Sequence, residues 1–394
     1  MLTFDKFTGI NNVVRPERMG KHELAVATNV DIGNTGELVR RDGYKAVDSC
    51  CHKNLWQASG YLLATVGHDL TAIDPDGARR VVAQSLGSTD RVHYCNLPSG
   101  ATAYSNGLIA GITDGRASKA WAIAAPHDVG GTVDMAGQMD AGQYLYAVSY
   151  TRLCDGLEGP AVMGPALNVQ QGGILFMGLP VLDGHSINVY LSGCGGEELF
   201  LAGTTLGDGL CFSAHSHTLQ VPARTLGLAP MPVGIYVAFW RGRVLVAQDN
   251  VLWASFPNAG HLCDVRRDFK QFASPITLVQ PVDDGIYVGT TQELVFLAGT
   301  EFDKLAYMKR MSGFVVPGSG VAAPGEKIKL GDGMGRGPAM VCIANGEVVA
   351  GFSEGAVASL TGDRYKTDAK AVSATWRETP GDVPQYVALE LGTP

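Results

Sequence analysis

The chain has 394 residues, of which 46% are apolar and only 17% charged, and its formal net charge is −8. That length exceeds one ordinary domain, and that balance excludes a disordered chain. The acidic excess argues against a protein that grips nucleic acid, which needs a basic face, while leaving open an acidic channel that DNA slides through.

The N-terminal stretch from Met1 to Phe7 lacks the apolar core of a signal peptide. No uninterrupted apolar run approaches the roughly 18 residues of a membrane span. The chain is therefore expected to be soluble, made in the cytoplasm and without a membrane anchor. Its 51 Gly and 19 Pro are spread along the whole length, as befits many short strands that each need a turn, and helix-like tracts are scarce. The expected fold class is all-β.

A hairpin recurs along the chain. Gly60, Gly107, Gly242, Gly285 and Gly346 each open a short, mostly apolar strand that turns on Gly, Asp, Asn or other polar residues and returns. The openings are separated by 47, 135, 43 and 61 residues in turn. Four-stranded propeller blades repeat every 40–50 residues or so, so the long gap holds one repeat and about 90 extra residues, the size of a small sandwich domain. Within that surplus, Tyr144, Tyr146 and Val148 alternate as on a half-buried strand. Ile174–Phe176, Ile187–Leu191 and Leu199–Ala202 give further short strands. The prediction is a propeller-like scaffold of hairpin repeats with an inserted immunoglobulin/fibronectin-III-like sandwich. Residues 1–126 and 229–394 form the two parts of the scaffold, and 127–228 the insert. Strands at Val26–Val30 and Glu37–Arg41 are expected to close the ring by pairing with Gln385–Glu390.

Candidate chemistry is sparse. The eight Cys (50, 51, 95, 154, 194, 211, 263, 342) form no CxxC pair and are expected to be reduced, small core residues. His215 and His217, with Cys211 nearby, would share a face on a strand, yet no fourth ligand stands at a usual spacing. The Gly-rich run Gly331–Gly337 lacks the ending of a P-loop and is expected to be a mobile loop, and Asp74–Gly77 lacks the downstream Glu of a calcium loop. Glu197–Glu198 and Asp283–Asp284 would point to opposite faces of a strand, so neither pair suits a glycosidase. The five Trp (56, 121, 240, 253, 376) are expected to fill the core between blades. No catalytic residue, metal ligand or cofactor site is assigned, and the chain is not expected to be an enzyme.

Several segments resemble structural proteins of bacteriophage tails. They are Phe7-Thr-Gly-Ile-Asn-Asn12, Glu23-Leu-Ala-Val-Ala-Thr-Asn-Val-Asp-Ile32, and Thr35-Gly-Glu-Leu-Val-Arg-Arg-Asp-Gly-Tyr44. With them go Gly156-Leu-Glu-Gly-Pro160 and, later, Gly242–Ala247, Leu252–Ser255, Phe272–Ile276 and Asp284–Gly289. The order of these segments over residues 1–300 is similar to that in tail nozzle and hub proteins of propeller plan. The resemblance implies a nozzle, hub or baseplate-associated component of a virion tail, assembled in the host cytoplasm, that connects the conduit to the fibres. It implies partners among other tail proteins, a symmetric ring of several copies, and DNA passing through a channel. Arg40, Arg41 and Asp42 suit a subunit contact, since Arg pairs bidentately with carboxylates, and equally suit a solvated turn. Two other functions compete: a tail-borne carbohydrate-binding or depolymerising receptor-recognition protein with the insert as its module, and a host-type propeller serving as an interaction hub.

Overall fold

The computed structural model describes residues 6–391 apart from 34, 44, 47, 87–90, 331–332 and 380–381. Its regular elements are β-strands with a few single-turn 3-10 helices. Each of the five glycine-opened hairpins forms, and each belongs to a four-stranded antiparallel sheet. The first sheet spans His52–Gln57 to Arg79–Ala83, and the second His93–Asn96 to Ser118–Ala120. The third runs from Ile235–Trp240 to Phe269–Gln271, the fourth from Ile276–Val282 to Ala306–Ser312, and the fifth from Val321–Pro324 to Val357–Ser359.

The opening glycines answer two different needs. Gly60, Gly107, Gly242 and Gly346 sit in turns with φ of 87°, 89°, 77° and 80°, where a side chain is strained. Arg241 and Asn345 precede two of them, also at positive φ, as tight two-residue hairpin turns require. Gly285 instead lies within a strand, and a Cβ there would stand 2.4 Å from Phe296 Cζ.

The cores lie between successive sheets. Leu63, Leu70 and Ala72 of the first sheet meet Tyr94 and Tyr104 of the second, and Cys95 and Ala103 of the second meet Val237, Val244 and Val246 of the third. The fourth sheet is covered on both faces. Ile286, Val288, Val295 and Leu297 pack against the third sheet, while Tyr287, Leu294 and Phe296 pack with Met340 and Cys342 of the fifth. Burial on both faces explains why its strands read as continuous apolar runs; each large side chain so covered contributes about 1.5–3 kcal/mol. First strands of neighbouring sheets lie together: 93–96 beside 235–240, and that strand beside 276–282. Sheets stacked face to face with their first strands gathered make a propeller-like arrangement.

The ring is not closed by a shared sheet. Val30–Ile32 pairs with Leu38–Arg40, and Val372–Glu378 pairs with Pro384–Glu390. The expected ladder between the two ends of the chain is therefore replaced by two local hairpins. The Asp31 carboxylate of the first hairpin lies near Gln385 and Arg377 of the second. Arg91 Nη2, just before the second sheet, donates to the Val372 carbonyl of the C-terminal hairpin at 3.2 Å.

Between the second and third sheets the chain leaves the scaffold. Strands at 131–136, 172–177 and 210–212 form one sheet, and 162–163, 146–152, 185–192 and 199–205 another. Tyr144, Tyr146, Val148, Tyr150, Phe176, Ile187 and Val189 fill the space around them, and among the described residues Ile123 alone joins that core from outside residues 127–228. Trp121, two positions earlier, belongs to the core between the second and third sheets. Strand Tyr146–Arg152 is buried on both faces and not one: Ala147 lies under Ala161, Tyr190 and Leu199. The reason is the return segment, where Val221–Ala223 pairs through its backbone along the edge of strand 199–205 (Leu201 N to Val221 O 2.7 Å, Ala223 N to Leu199 O 2.8 Å).

Candidate functional site

A polar cluster joins residues 146–158 to the second and third sheets, built by the turn that follows strand Tyr146–Arg152. Gly156, at φ 68°, lets the chain reverse, and its N–H donates to the Arg152 carbonyl at 2.8 Å. The reversal brings Asp155 back to Arg152, whose Nη2 donates to it at 2.8 Å, and within 2.6 Å of Lys119 Nζ from the second sheet. Arg152 also donates to the Ala120 carbonyl at 2.6 Å. Gly159 then packs so closely on Ile123 that a Cβ would stand 2.7 Å from its Cγ2.

Glu158 faces both ways. Its carboxylate accepts from Ser149 Oγ, from Tyr190 Oη at 2.5 Å and from Asn188 Nδ2 at 3.3 Å, all in the insert. Its backbone carbonyl stands 2.8 Å from Nε2 of His261, a buried residue beside the third sheet. Insert and scaffold are thus joined by an ion-pair triad and one buried imidazole.

Two groups of the joint, His261 and Asp155, weaken it toward acid. Burial lowers the His261 pKa below its ordinary 6.5, more than the hydrogen bond to Glu158 raises it, so folding favours the neutral form. Stability from that neutral form is present above about pH 6.5 and declines as the unfolded chain gains a proton below it. Burial raises the Asp155 carboxyl, but hydrogen bonds from Arg152 and Lys119 outweigh it and hold it well below its ordinary 3.8. That contribution is present above about pH 4 and is lost as pH falls toward the folded value. Limited proteolysis should therefore cut residues 120–128 and 213–234 faster at pH 5 than at pH 7.5, and faster again at pH 3.5. Equal cutting rates from pH 7.5 to 5 would show that His261 does not bear on the joint.

The proposed contact residues lie on the N-terminal hairpin. Arg40, Arg41 and Asp42 are all exposed, and Arg41 Nη2 is held by Asp31 of the same hairpin at 2.8 Å. Residues 6–57 contain a single buried residue, Asn11, among those described. This segment is fastened to the fifth sheet's end by Asn12, which exchanges hydrogen bonds with Arg364 and Lys366.

The residues weighed for chemistry lie apart. His215 caps and His217 lies within a 3-10 turn at Ser216–Thr218, not a strand, their rings stacked at 5.0 Å, while Cys211 Sγ lies against Met135 Sδ. Among the described residues no three His, Cys, Asp or Glu gather as a metal site would need. Asp74–Gly77 is a turn closed by Gly77 N to Asp74 O at 2.8 Å. Asp283 and Asp284 also sit in a turn, where Asp284 caps the Glu354 N–H, and Glu197 and Glu198 lie in an exposed loop. Residues 331–332 of the Gly-rich run lie outside the described residues; Gly333–Met334 pairs with Lys329–Leu330. Trp121 and Trp240 are buried and bond to the Gly260 and Val282 carbonyls; Trp56, Trp253 and Trp376 pack against cores from the side. The expectation of core cysteines holds for Cys95, Cys263 and Cys342, but Cys50, Cys51, Cys154, Cys194 and Cys211 are exposed, because their positions fall in turns, in the N-terminal segment or on a sheet edge. All eight are free thiols.

Among the described residues no helix is long and apolar enough to cross a membrane. No family model matches the chain, and no curated protein matches it. Solved structures that overlap it include a streptogramin B lyase at 7% identity and a TM-score of 0.33, covering 82% of this chain and 89% of that one. The WD40 domain of Neurospora crassa Pan2 overlaps at 6% identity and 0.34, covering 87% and 90%. The extracellular domain of a putative one-component system of B. thetaiotaomicron does so at 9% and 0.34, covering 97% of this chain and 49% of that one. No functional property follows from overlaps of this size.

Proposed function

We propose that this chain is a structural, non-enzymatic component of a bacteriophage tail, a nozzle, hub or baseplate-associated protein present in several copies. The observation that carries the proposal is the N-terminal segment. The residues that resemble tail proteins, Phe7–Asn12, Glu23–Ile32 and Thr35–Arg41, lie in a stretch that buries no apolar side chain among those described. It leaves Val26 76% and Val39 50% exposed. A segment that orders itself through local ladders and one polar clasp, while holding its apolar residues outside, suits assembly with partners. Its partners are other tail proteins and further copies of itself, with DNA passing through the channel such a ring encloses.

The insert is read as an immunoglobulin/fibronectin-III-like sandwich. Strands 131–136 and 172–177 take the places of B and E, and 146–152, 185–192 and 199–205 those of C, F and G. Strand 162–163 lies beside C as C′ does, none of the described strands takes the place of A, and 210–212 pairs with the far edge of E.

Mass spectrometry of purified virions tests the proposal, using the phage whose genome encodes this chain. The chain should be found at a fixed stoichiometry that matches tail symmetry. Its absence from intact virions, or release of reducing sugar from host polysaccharide by the pure protein, overturns it.

A further inference from the structure

We propose that segment 13–21 of one copy docks on the shoulder of the insert of the next copy, a head-to-tail contact that builds the ring. This rests on the multi-copy reading above and names the surfaces it would use. The first observation is how charge is divided along the chain. Residues 127–228 hold nine acidic side chains against two basic ones, Arg152 and Arg224, and contain no Lys. Residues 1–126 hold twelve acidic and thirteen basic. The insert is therefore strongly acidic beside a scaffold half that is almost neutral.

The second observation is where unpaired charge and exposed apolar surface coincide. On the insert, Leu153, Val181 and Leu206 are 57%, 57% and 65% exposed. Their loops form one shoulder, tied by Leu153 N to Gly184 O and Leu179 N to Asp208 O, both 2.9 Å. Asp183 and Asp208 stand on the same loops, exposed, and neither carboxylate has a hydrogen bond or ion pair among the described residues. Three bare apolar side chains rimmed by two free carboxylates ask for an apolar partner with cationic neighbours.

The N-terminal segment offers that pattern. Val13 and Val14 are 47% and 37% exposed, and the Asn11 side chain holds both of their N–H groups at 3.1 and 3.0 Å. A 3-10 turn at Pro16–Arg18 follows. Arg15, Arg18 and Lys21 are exposed, and none has a side-chain partner among the described residues. Glu17 stands exposed among them, also without a side-chain partner among the described residues, so segment 13–21 keeps three cations against one acid, while Glu23 and Asp31 further on are engaged by Asn11 and Arg41. Preordering by Asn11 and Pro16 lowers the entropy lost on docking. Within one chain the two surfaces share no hydrogen bond or ion pair among the described residues: the segment is clasped at Arg364 and Lys366, and the insert is jointed at Ala120 and His261. Two unlike patches that complement each other between copies give a heterologous contact, which closes into a ring when the rotation allows.

Sedimentation of the full-length chain tests the proposal. The wild type should self-associate, less tightly as NaCl rises from about 0.05 to 0.5 M. R15E/R18E and D183K/D208K should each weaken association by more than about tenfold, and the combined four-site variant should regain it. None of these side chains makes a bond among the described residues, so all variants should melt with the wild type; R15Q/R18Q and D183N/D208N should show smaller losses. A wild type that stays monomeric, or that associates with unchanged affinity in either charge-reversed pair, overturns the contact. Unchanged affinity together with fixed copies in virions would refute this contact while leaving the tail assignment standing. Loss and rescue without any copies in virions would support the contact and refute the tail assignment.

Discussion

Replacing Glu158 by alanine should lower the melting temperature of the insert by more than about 10 °C while leaving the scaffold's transition in place. The Glu158 carboxylate is the acceptor for Ser149 Oγ, Tyr190 Oη and Asn188 Nδ2. Tyr190 is 3% exposed and Ser149 fully buried, so water cannot replace the lost acceptor without opening the sheet. Each stranded donor costs about 1–3 kcal/mol, and a cluster that shares one acceptor loses about 3 kcal/mol or more in total. For a unit of this size 1 kcal/mol corresponds to roughly 4–8 °C. The two transitions can be told apart because residues 127–228 contain no Trp, whereas all five lie in the scaffold. Calorimetry should show the insert melting early, and Trp fluorescence should not move. Glu158→Gln keeps an acceptor oxygen and should lose less than half as much. A Glu158→Ala protein with an unchanged calorimetric profile would show that the three donors find other partners.

Glu158 also marks what could and could not be read from the sequence. The five hairpins were legible because turn glycines and short apolar strands are local signals, and the break in their spacing is where the strands 131–136 to 210–212 form sheets of their own. The joint was not legible, although Cys154–Pro160 reads as a turn leading to the next strand and Gly156–Pro160 carries part of the resemblance. One signal did point to it: Arg152 ends a strand that is otherwise Tyr, Ala, Val, Ser and Thr, and a cation there needs a partner. The second face of that strand was illegible, since Ala147 is covered through a return segment more than seventy residues away. The closing ladder failed for a physical reason. Segments 30–32 and 38–40, like 372–378 and 384–390, are each joined by a short loop, and short loops cost far less closure entropy than joining opposite ends of the chain. Gly285 was grouped with the turn glycines, but its place is set by Phe296 pressing on its α-carbon, a contact that no local pattern carries.

Trp121→Ala should have the converse effect, lowering the scaffold's melting temperature by about 8 °C or more and sparing the insert. Trp121 is 2% exposed, follows the last strand of the second sheet directly, and packs among Cys95, Ala103, Val237, Val244 and Val246. It therefore fills the core between second and third sheets at the point where the chain departs for the insert, the interval in which the backbone no longer links those sheets directly. Its Nε1 donates to the Gly260 carbonyl at 2.6 Å, fixing the loop that carries His261. Truncation removes a large buried side chain at a cost of about 3–5 kcal/mol and strands the Gly260 carbonyl. In a scaffold of this size each kcal/mol corresponds to roughly 2–4 °C. Trp121→Phe keeps most of the packing and loses the hydrogen bond, so it should cost about 1–2 kcal/mol. The remaining four Trp report the scaffold's unfolding by fluorescence, and the shift for alanine should exceed that for phenylalanine at least twofold. Because Ile123, two residues on, is anchored in the insert's own core, the insert's calorimetric transition should stay where it is. If both transitions fall together in Trp121→Ala, the two units do not unfold separately, and the joint at Glu158 and Asp155 couples them into one cooperative structure.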